Sequence, residues 1–400
     1  MSAALLFEII AFALTLWLGL YLLNRNFTNP RLRFAGAGAV AYAFALCADV
    51  LAGQADPAAS NLFIRLRSSL IVLPAVCWGI TLFYVWQARR AAQPKGTFNL
   101  IALATLFFAL GLGLLSLPFN WLPREWLLPS IGLDFAMLGF AIAALDAFDE
   151  GEAFAPDMAR SFNATALSVV VFGGLVLLFG VGPGLTGLAF LLAIITAAIV
   201  TQVFSDAIQN LVDRLSFARR PTLYRARADL RAATRAVPRI NDALDLHSLG
   251  DDEFARLTRR AISHMGDLSR LAASPLTRLS IVEARLTARG LRADSLERAN
   301  ELRALLTESI LRLKPRGKGE FGTADEWRHY NALYFPYVVG LKPYSLRAEP
   351  NGFDDASRAA LDWFRTSVPE RTLYNWQNAA AKLVAHDLRE KTTTTGSDWQ

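Results

Sequence analysis

Two groups of side chains in this sequence have the type and spacing to do chemistry. The first is Asp49, Asp134, Arg65 and Arg67, which lie in or beside long apolar stretches, together with the carboxylates Glu8 and Asp146. A charge at the centre of a bilayer costs about 2.5–3.5 kcal/mol on insertion scales, so each needs a partner or a task. In the topology derived below, Glu8, Asp49 and Asp134 fall toward the outer half, and Arg65 and Arg67 enter from the same side. An Asp49–Arg65 pair fits this placement, as part of a polar small-molecule pocket or as a structural ion pair. Asp146 reads as the inner end of its span. The second group is Arg371, Asn375, Asn378, Lys382 and Arg389, which share one face of a helix. Leu373, Trp376, Ala380, Leu383, Val384 and Leu388 share the opposite face. Amide and guanidinium groups can read base edges in a DNA major groove, while Lys and Arg hold phosphates. A solvated face on a structural hairpin has the same pattern.

Other chemistry finds no foothold. Cys47 and Cys77 sit in apolar stretches, and no Cys/His spacing suggests zinc. There is no Walker A sequence or kinase loop, no dense charge relay of a pump and no inverted repeat of a carrier. The sequence therefore assigns no catalytic residue, no metal and no cofactor, and it reads as a non-enzyme.

The elements that must hold these groups divide the chain in two. Residues 1–206 hold ten Lys+Arg and eleven Asp+Glu, whereas the remainder holds 31 and 24 and carries a net +7. A bilayer imposes such a split, because charge is costly in hydrocarbon. Apolar runs near 3–23, 34–53, 68–87, 98–117, 127–147, 162–180 and 185–205 each approach the roughly 20 residues that cross about 30 Å of hydrocarbon. The fold class is thus all-α: a seven-transmembrane bundle over 1–206, then a helical domain. Arg25, Arg31 and Arg33 in one short loop and Arg89, Arg90 and Lys95 in another put both loops inside. The N-terminus is then outside, and the C-terminal half is cytoplasmic in a bacterial inner membrane. The acidic loop 148–161 is also inside.

Past the last span, Phe204, Ile208, Leu211 and Leu215 continue an apolar stripe. This predicts a stiff helix leaving the bilayer, able to transmit a shift or to pair with a second copy as a homodimer. Gln209-Asn210-Leu211-Val212-Asp213-Arg214-Leu215, then Phe217, Arg219-Arg220 and Tyr224, resembles the juxtamembrane linker of bacterial sensor histidine kinases. Leu16-Trp17-Leu18-Gly19 and the Arg31–Ala41 stretch are similar as well. The resemblance covers about residues 1–230 and implies spans that detect a signal, with 207–230 as signalling helix and linker. The kinase itself does not follow. Met265 succeeds His264 where an acid is needed, and Gly317-Lys318-Gly319 with Gly322 forms no ATP lid. His264 reads as an ordinary helix-surface residue.

Residues 231–314 read as a cytoplasmic helical domain, with helices near 225–236, 252–271, 278–289 and 292–313 punctuated by Pro238, Pro275 and Pro315. Pro315–Gly322 reads as a basic, glycine-rich hinge. The segment 315–391 opens with an aromatic run, Trp327 to Tyr344, of the kind that packs between helices. It closes with two helices, one capped by Asp354 or Asp355. Ser367 and Glu370 have the spacing of a capping box at the start of the second. The pair reads as a helix-turn-helix-like hairpin. Ser367 to Trp376 is similar to recognition helices of bacterial transcription regulators, with Asn375 where they carry a basic residue. Residues 392–400 read as a disordered tail. Together these features predict a membrane-embedded, sensor-like signalling protein with a cytoplasmic output that binds DNA or a protein. The alternative is a membrane-anchored scaffold.

Overall fold

The computed structural model describes residues 2–88, 124–179, 184–217 and 227–397, apart from 229, 232, 235, 242, 243, 247, 317, 318 and 345–352. Among the described residues every regular element is a helix. The chain divides into two units, one made of residues 1–148 and 154–218 and the other of 149–153 and 219–400.

The first unit contains α1 (Ala3–Arg25), α2 (Pro30–Ala52), α3 (Pro57–Leu70), α4 (Val72–Ala88), α5 (Arg124–Glu150), α6 (Phe154–Phe179), α7 (Leu185–Val203) and α8 (Ser205–Ser216). Six stretches are long and apolar enough to cross a membrane: Ala3–Arg25, Pro30–Ala52, Pro57–Gln87, Trp126–Glu150, Phe154–Phe179 and Leu185–Val203. This is a multi-pass membrane unit. The span expected at 98–117 lies outside the described residues.

Local chemistry starts the first two helices. The Ser2 hydroxyl accepts from the Leu5 amide at 3.2 Å, and Asn29 accepts from the Arg31 amide at 3.1 Å with Pro30 at the first helical turn. Each cap satisfies a backbone donor that a helix start leaves unpaired. α1 and α2 then meet backbone to backbone. A Cβ built on Gly36 would lie 2.8 Å from the Gly19 carbonyl oxygen, and one on Gly19 would lie 2.9 Å from that of Gly36. Small residues permit this approach between spans, where no hydrophobic effect drives helices together. Phe12, Leu16, Leu22, Tyr42, Leu46, Ile131 and Leu138 fill the core around the contact. Leu167, Val170, Leu178 and Phe179 on α6 are instead exposed, as lipid-facing side chains are.

The helix that carries the span expected near 162–180 starts earlier, at Phe154, with Asp157 in its first turn, where the helix N-terminus favours an anion. One expectation fails here. The last span does not run on as one helix. At Phe204 the backbone leaves helical geometry (φ −97°, ψ 17°), so α7 and α8 are separate segments.

In the second unit, residues from 254 to 388 share one core. It contains α9 (Asp251–Ser263), α10 (Leu268–Ala272), α11 (Ser280–Ala288), α12 (Ser295–Leu311), α13 (Arg328–Leu333), a π-helix at Tyr334–Val339, α14 (Asp355–Ser367) and α15 (Glu370–Ser397). α15 is its central post: Ala380, Val384 and Leu388 pack with Phe254, Leu257, Leu302 and Leu306. Leu383, predicted on the buried face, is 47% exposed. Phe335, Leu341, Phe364, Val368 and Leu373 form a second cluster. The predicted hinge is pinned at its end. The Gly322 carbonyl accepts from Asn331 at 2.8 Å, and a Cβ there would meet the Trp327 ring at 2.5 Å. The predicted disordered tail is helical through Ser397.

Gly36→Ala forces α1 and α2 apart, an overpacking that costs about 1–3 kcal/mol. The thermal unfolding temperature in detergent should drop. Gly79→Ala, at a position where an added Cβ meets nothing within 4 Å, should leave it unchanged or slightly raised.

Candidate functional site

The most concentrated chemistry in the first unit is a buried ionic cluster where α1, α5 and α6 meet. Arg25 ends α1, and its guanidinium donates through Nε to Asp146 Oδ2 at 3.0 Å and through Nη1 to Asp157 Oδ2 at 2.8 Å. Tyr21, one turn earlier, donates from its hydroxyl to the same Asp157 oxygen at 2.9 Å. Asn29 donates to the other Asp146 oxygen at 2.7 Å. Arg25 and Asp146 are 4% and 3% exposed. Helix ends favour two of these charges: Arg25 sits at the negative end of α1 and Asp157 at the positive end of α6. Asp146 sits just before the last turn of α5, where the helix dipole gives it no support, so it depends on Arg25 and Asn29.

Sequence reasoning missed this cluster. Asp146 read as a span end and Asp157 as part of an acidic loop. Arg25 counted only toward orientation. A cation in the last turn of one span and acids bracketing a tight loop on the same side was the available signal.

Asp146 and Asp157 bracket the turn between α5 and α6. The tip of that turn, residues 149–153, belongs to the second unit. There the Asp149 carbonyl accepts from Arg256 Nη1 at 2.6 Å. Glu150 meets Arg260 at 3.1 Å and approaches His264 Nε2 at 3.6 Å. The Ala153 amide donates to the Arg239 carbonyl at 2.8 Å. Arg256, Arg260 and His264 recur every four residues, so α9 offers one basic face to the tip. Gly151 makes the turn possible. Its φ is +73°, and a Cβ there would lie 2.8 Å from Leu257 and 3.0 Å from Pro275. His264 is therefore no ordinary surface residue, because it closes α9 against Glu150.

The predicted outer group is only partly assembled. Asp49 pairs with Arg67 rather than Arg65, which is exposed. The two arginines are two residues apart on α3 and so point to different sides. Asp134 is half-buried. Glu8 is buried.

The predicted DNA-reading face is largely engaged within its own unit. Lys382 pairs with Asp252 at 3.0 Å, and Arg389 pairs with Asp251 and lies 4.7 Å above the Phe254 ring. Asn378 accepts from Arg259 at 3.1 Å. Arg371 and Asn375 remain exposed. The capping box does not form. Val368, which precedes Pro369, is extended (φ −119°, ψ 111°), and Ser367 is the last residue of α14. Its hydroxyl lies 3.2 Å from that of Thr366. Asp354 does cap α14, accepting from the Ser357 amide at 3.0 Å.

Tyr330, Tyr334 and Phe335 line an open recess of about 540 Å³ with Lys314 and Glu320 at its rim. Burial raises the Tyr330 hydroxyl pKa well above the ordinary phenol value, so it stays protonated. Among the described residues no three His, Cys, Asp or Glu side chains group as metal ligands.

Removing one partner of a buried pair strands the other charge, at about 3–5 kcal/mol. Arg25→Met should therefore lower the unfolding temperature sharply, and adding Asp146→Asn with Asp157→Asn should restore most of it. Equal losses in the single and triple variants would show that the cluster contributes packing alone. No protein-family model, curated protein or solved structure matches the chain.

Proposed function

We propose that this chain is a membrane-embedded, sensor-like signalling protein. Its N-terminus is outside, and its second unit is a cytoplasmic output domain at a bacterial inner membrane. One observation carries the proposal: the turn between α5 and α6 is anchored by Arg25 on the membrane side, while its tip is a component of the second unit. A ligand that bound one arrangement of the spans better than another would shift their populations. The α5–α6 turn passes that shift to α9 through Glu150 and Arg260. This route differs from the one expected from the apolar stripe, because the helical geometry is interrupted at Phe204. The resemblance of the 209–224 linker to sensor kinases supports the same class.

For the output, a protein partner fits better than DNA, because Asn378, Lys382 and Arg389 already have intramolecular partners. Arg371 and Asn375 are the residues that keep the helix-turn-helix-like reading of 355–397 open. An affinity dominated by phosphate contacts falls about 10³–10⁵-fold between roughly 50 and 200 mM salt. A duplex titration of the full chain should show no such binding and no effect of Arg371→Ala. Salt-dependent binding lost in Arg371→Ala would make DNA the target.

Hydrogen exchange tests the coupling. In the full chain in nanodiscs, Asp157→Asn should speed exchange of the amides of Asp251–Ser263. Unchanged exchange there, with faster exchange confined to α1 and α6, would favour the scaffold alternative.

A further inference from the structure

α8 is built the wrong way round for water. Ile208, Leu211, Val212 and Leu215 recur at helical spacing on one face, and they are 42%, 58%, 53% and 73% exposed. On the opposite side Asp213 is 4% exposed. A helix on an aqueous surface buries its apolar stripe and solvates its acids. Here the acid faces the protein and the apolar stripe faces out.

What lies outside that stripe follows from where the helix starts. α8 begins two residues after Val203, the last residue of an apolar crossing helix. Were it to continue straight out of the membrane, Leu215 would stand twelve residues beyond the span, about 18 Å at the helical rise. The headgroup layer on each side is only about 5–8 Å deep. The backbone change at Phe204 (φ −97°, ψ 17°) removes the need to continue straight. Exposed Arg214 flanks the stripe, and Arg219 and Arg220 follow in sequence. These cations suit an anionic headgroup layer.

We infer that α8 lies in the membrane–water interface, with Ile208, Leu211, Val212 and Leu215 seated on the bilayer of the same leaflet that receives α7. The occupant of the apolar face is lipid, continuous with the lipid surface of the spans. Such helices bury their apolar face about 5–10 Å into the headgroup and acyl boundary. The Ser205–Ser216 part of the linker-like segment is then a membrane-surface element, whose position depends on lipid composition.

The test places single spin labels on the full chain, with Cys47→Ala and Cys77→Ala, in vesicles of phosphatidylcholine and phosphatidylglycerol. Labels go at Leu211, Leu215, Asn210 and, as a control on a crossing helix, Val170. All four positions are exposed, so the labels fit without disturbing packing. At Leu211 and Leu215 collisions with oxygen should outweigh those with a water-soluble nickel complex, and at Asn210 the reverse should hold. Nickel access dominating at Leu211 and Leu215, with Val170 still shielded, would put α8 in water and overturn the proposal. Protection from both reagents, with short label–label distances between copies, would also overturn it and make the face a contact between two chains. A Val170 label open to nickel would instead overturn the multi-span reading on which the placement rests.

Discussion

The membrane unit depends on one demand: the Arg25 guanidinium, almost without solvent, must be neutralised. It stands at the end of α1 and takes one carboxylate from the end of α5 and another from the start of α6. A buried cation left without partners would cost several kcal/mol, so the three helix ends are not free to separate. The Tyr21 hydroxyl accepts from Arg25 and donates to Asp157, and the Asn29 amide donates to Asp146, so α1 and the start of α2 are tied into the same knot. Burial of this kind adds specificity of arrangement more than net stability, because the pair must first be stripped of water.

That constraint matters because of what it brackets. Asp146 and Asp157 lie on either side of a short turn, and the tip of that turn is a structural component of the second unit. Gly151 lets the chain reverse under Leu257 and Pro275, and α9 presents Arg256, Arg260 and His264 to receive Asp149 and Glu150. The proposed coupling draws on both sets of charges, those at the base of the turn and those at its tip.

The sequence makes the crossing helices plain, because length and hydropathy are properties of each segment taken alone. Properties that depend on helix phase or on a distant partner are not legible in the same way. Asp49 was paired with the wrong arginine because Arg65 and Arg67 differ by about 200° around a helix, and the phase of α3 against α2 is a tertiary fact. The polar face of α15 is legible as a face, but amphipathy says only which residues share it, not what the face meets. Here it meets Asp251 and Asp252 on α9. The supposed cap at Ser367 fell to a local rule: the residue before a proline is pushed extended, so Val368 ends one helix before Glu370 begins the next. The Arg25 cluster was invisible as a cluster, since its members are separated by more than a hundred residues and each has an ordinary explanation alone.

The proposed coupling requires an energetic link between the Arg25 cluster and the tip of the turn. A double-mutant cycle measures this directly, using Arg25→Met, Glu150→Gln and the pair, each followed by the unfolding free energy of the full chain. Independent sites add within about 0.3–0.5 kcal/mol, whereas sites in one network show interaction energies of about 0.5–3 kcal/mol. Coupling through the turn gives an interaction energy clearly above the additive limit. Strict additivity would contradict it, leaving two unconnected ion pairs that happen to lie on the same turn.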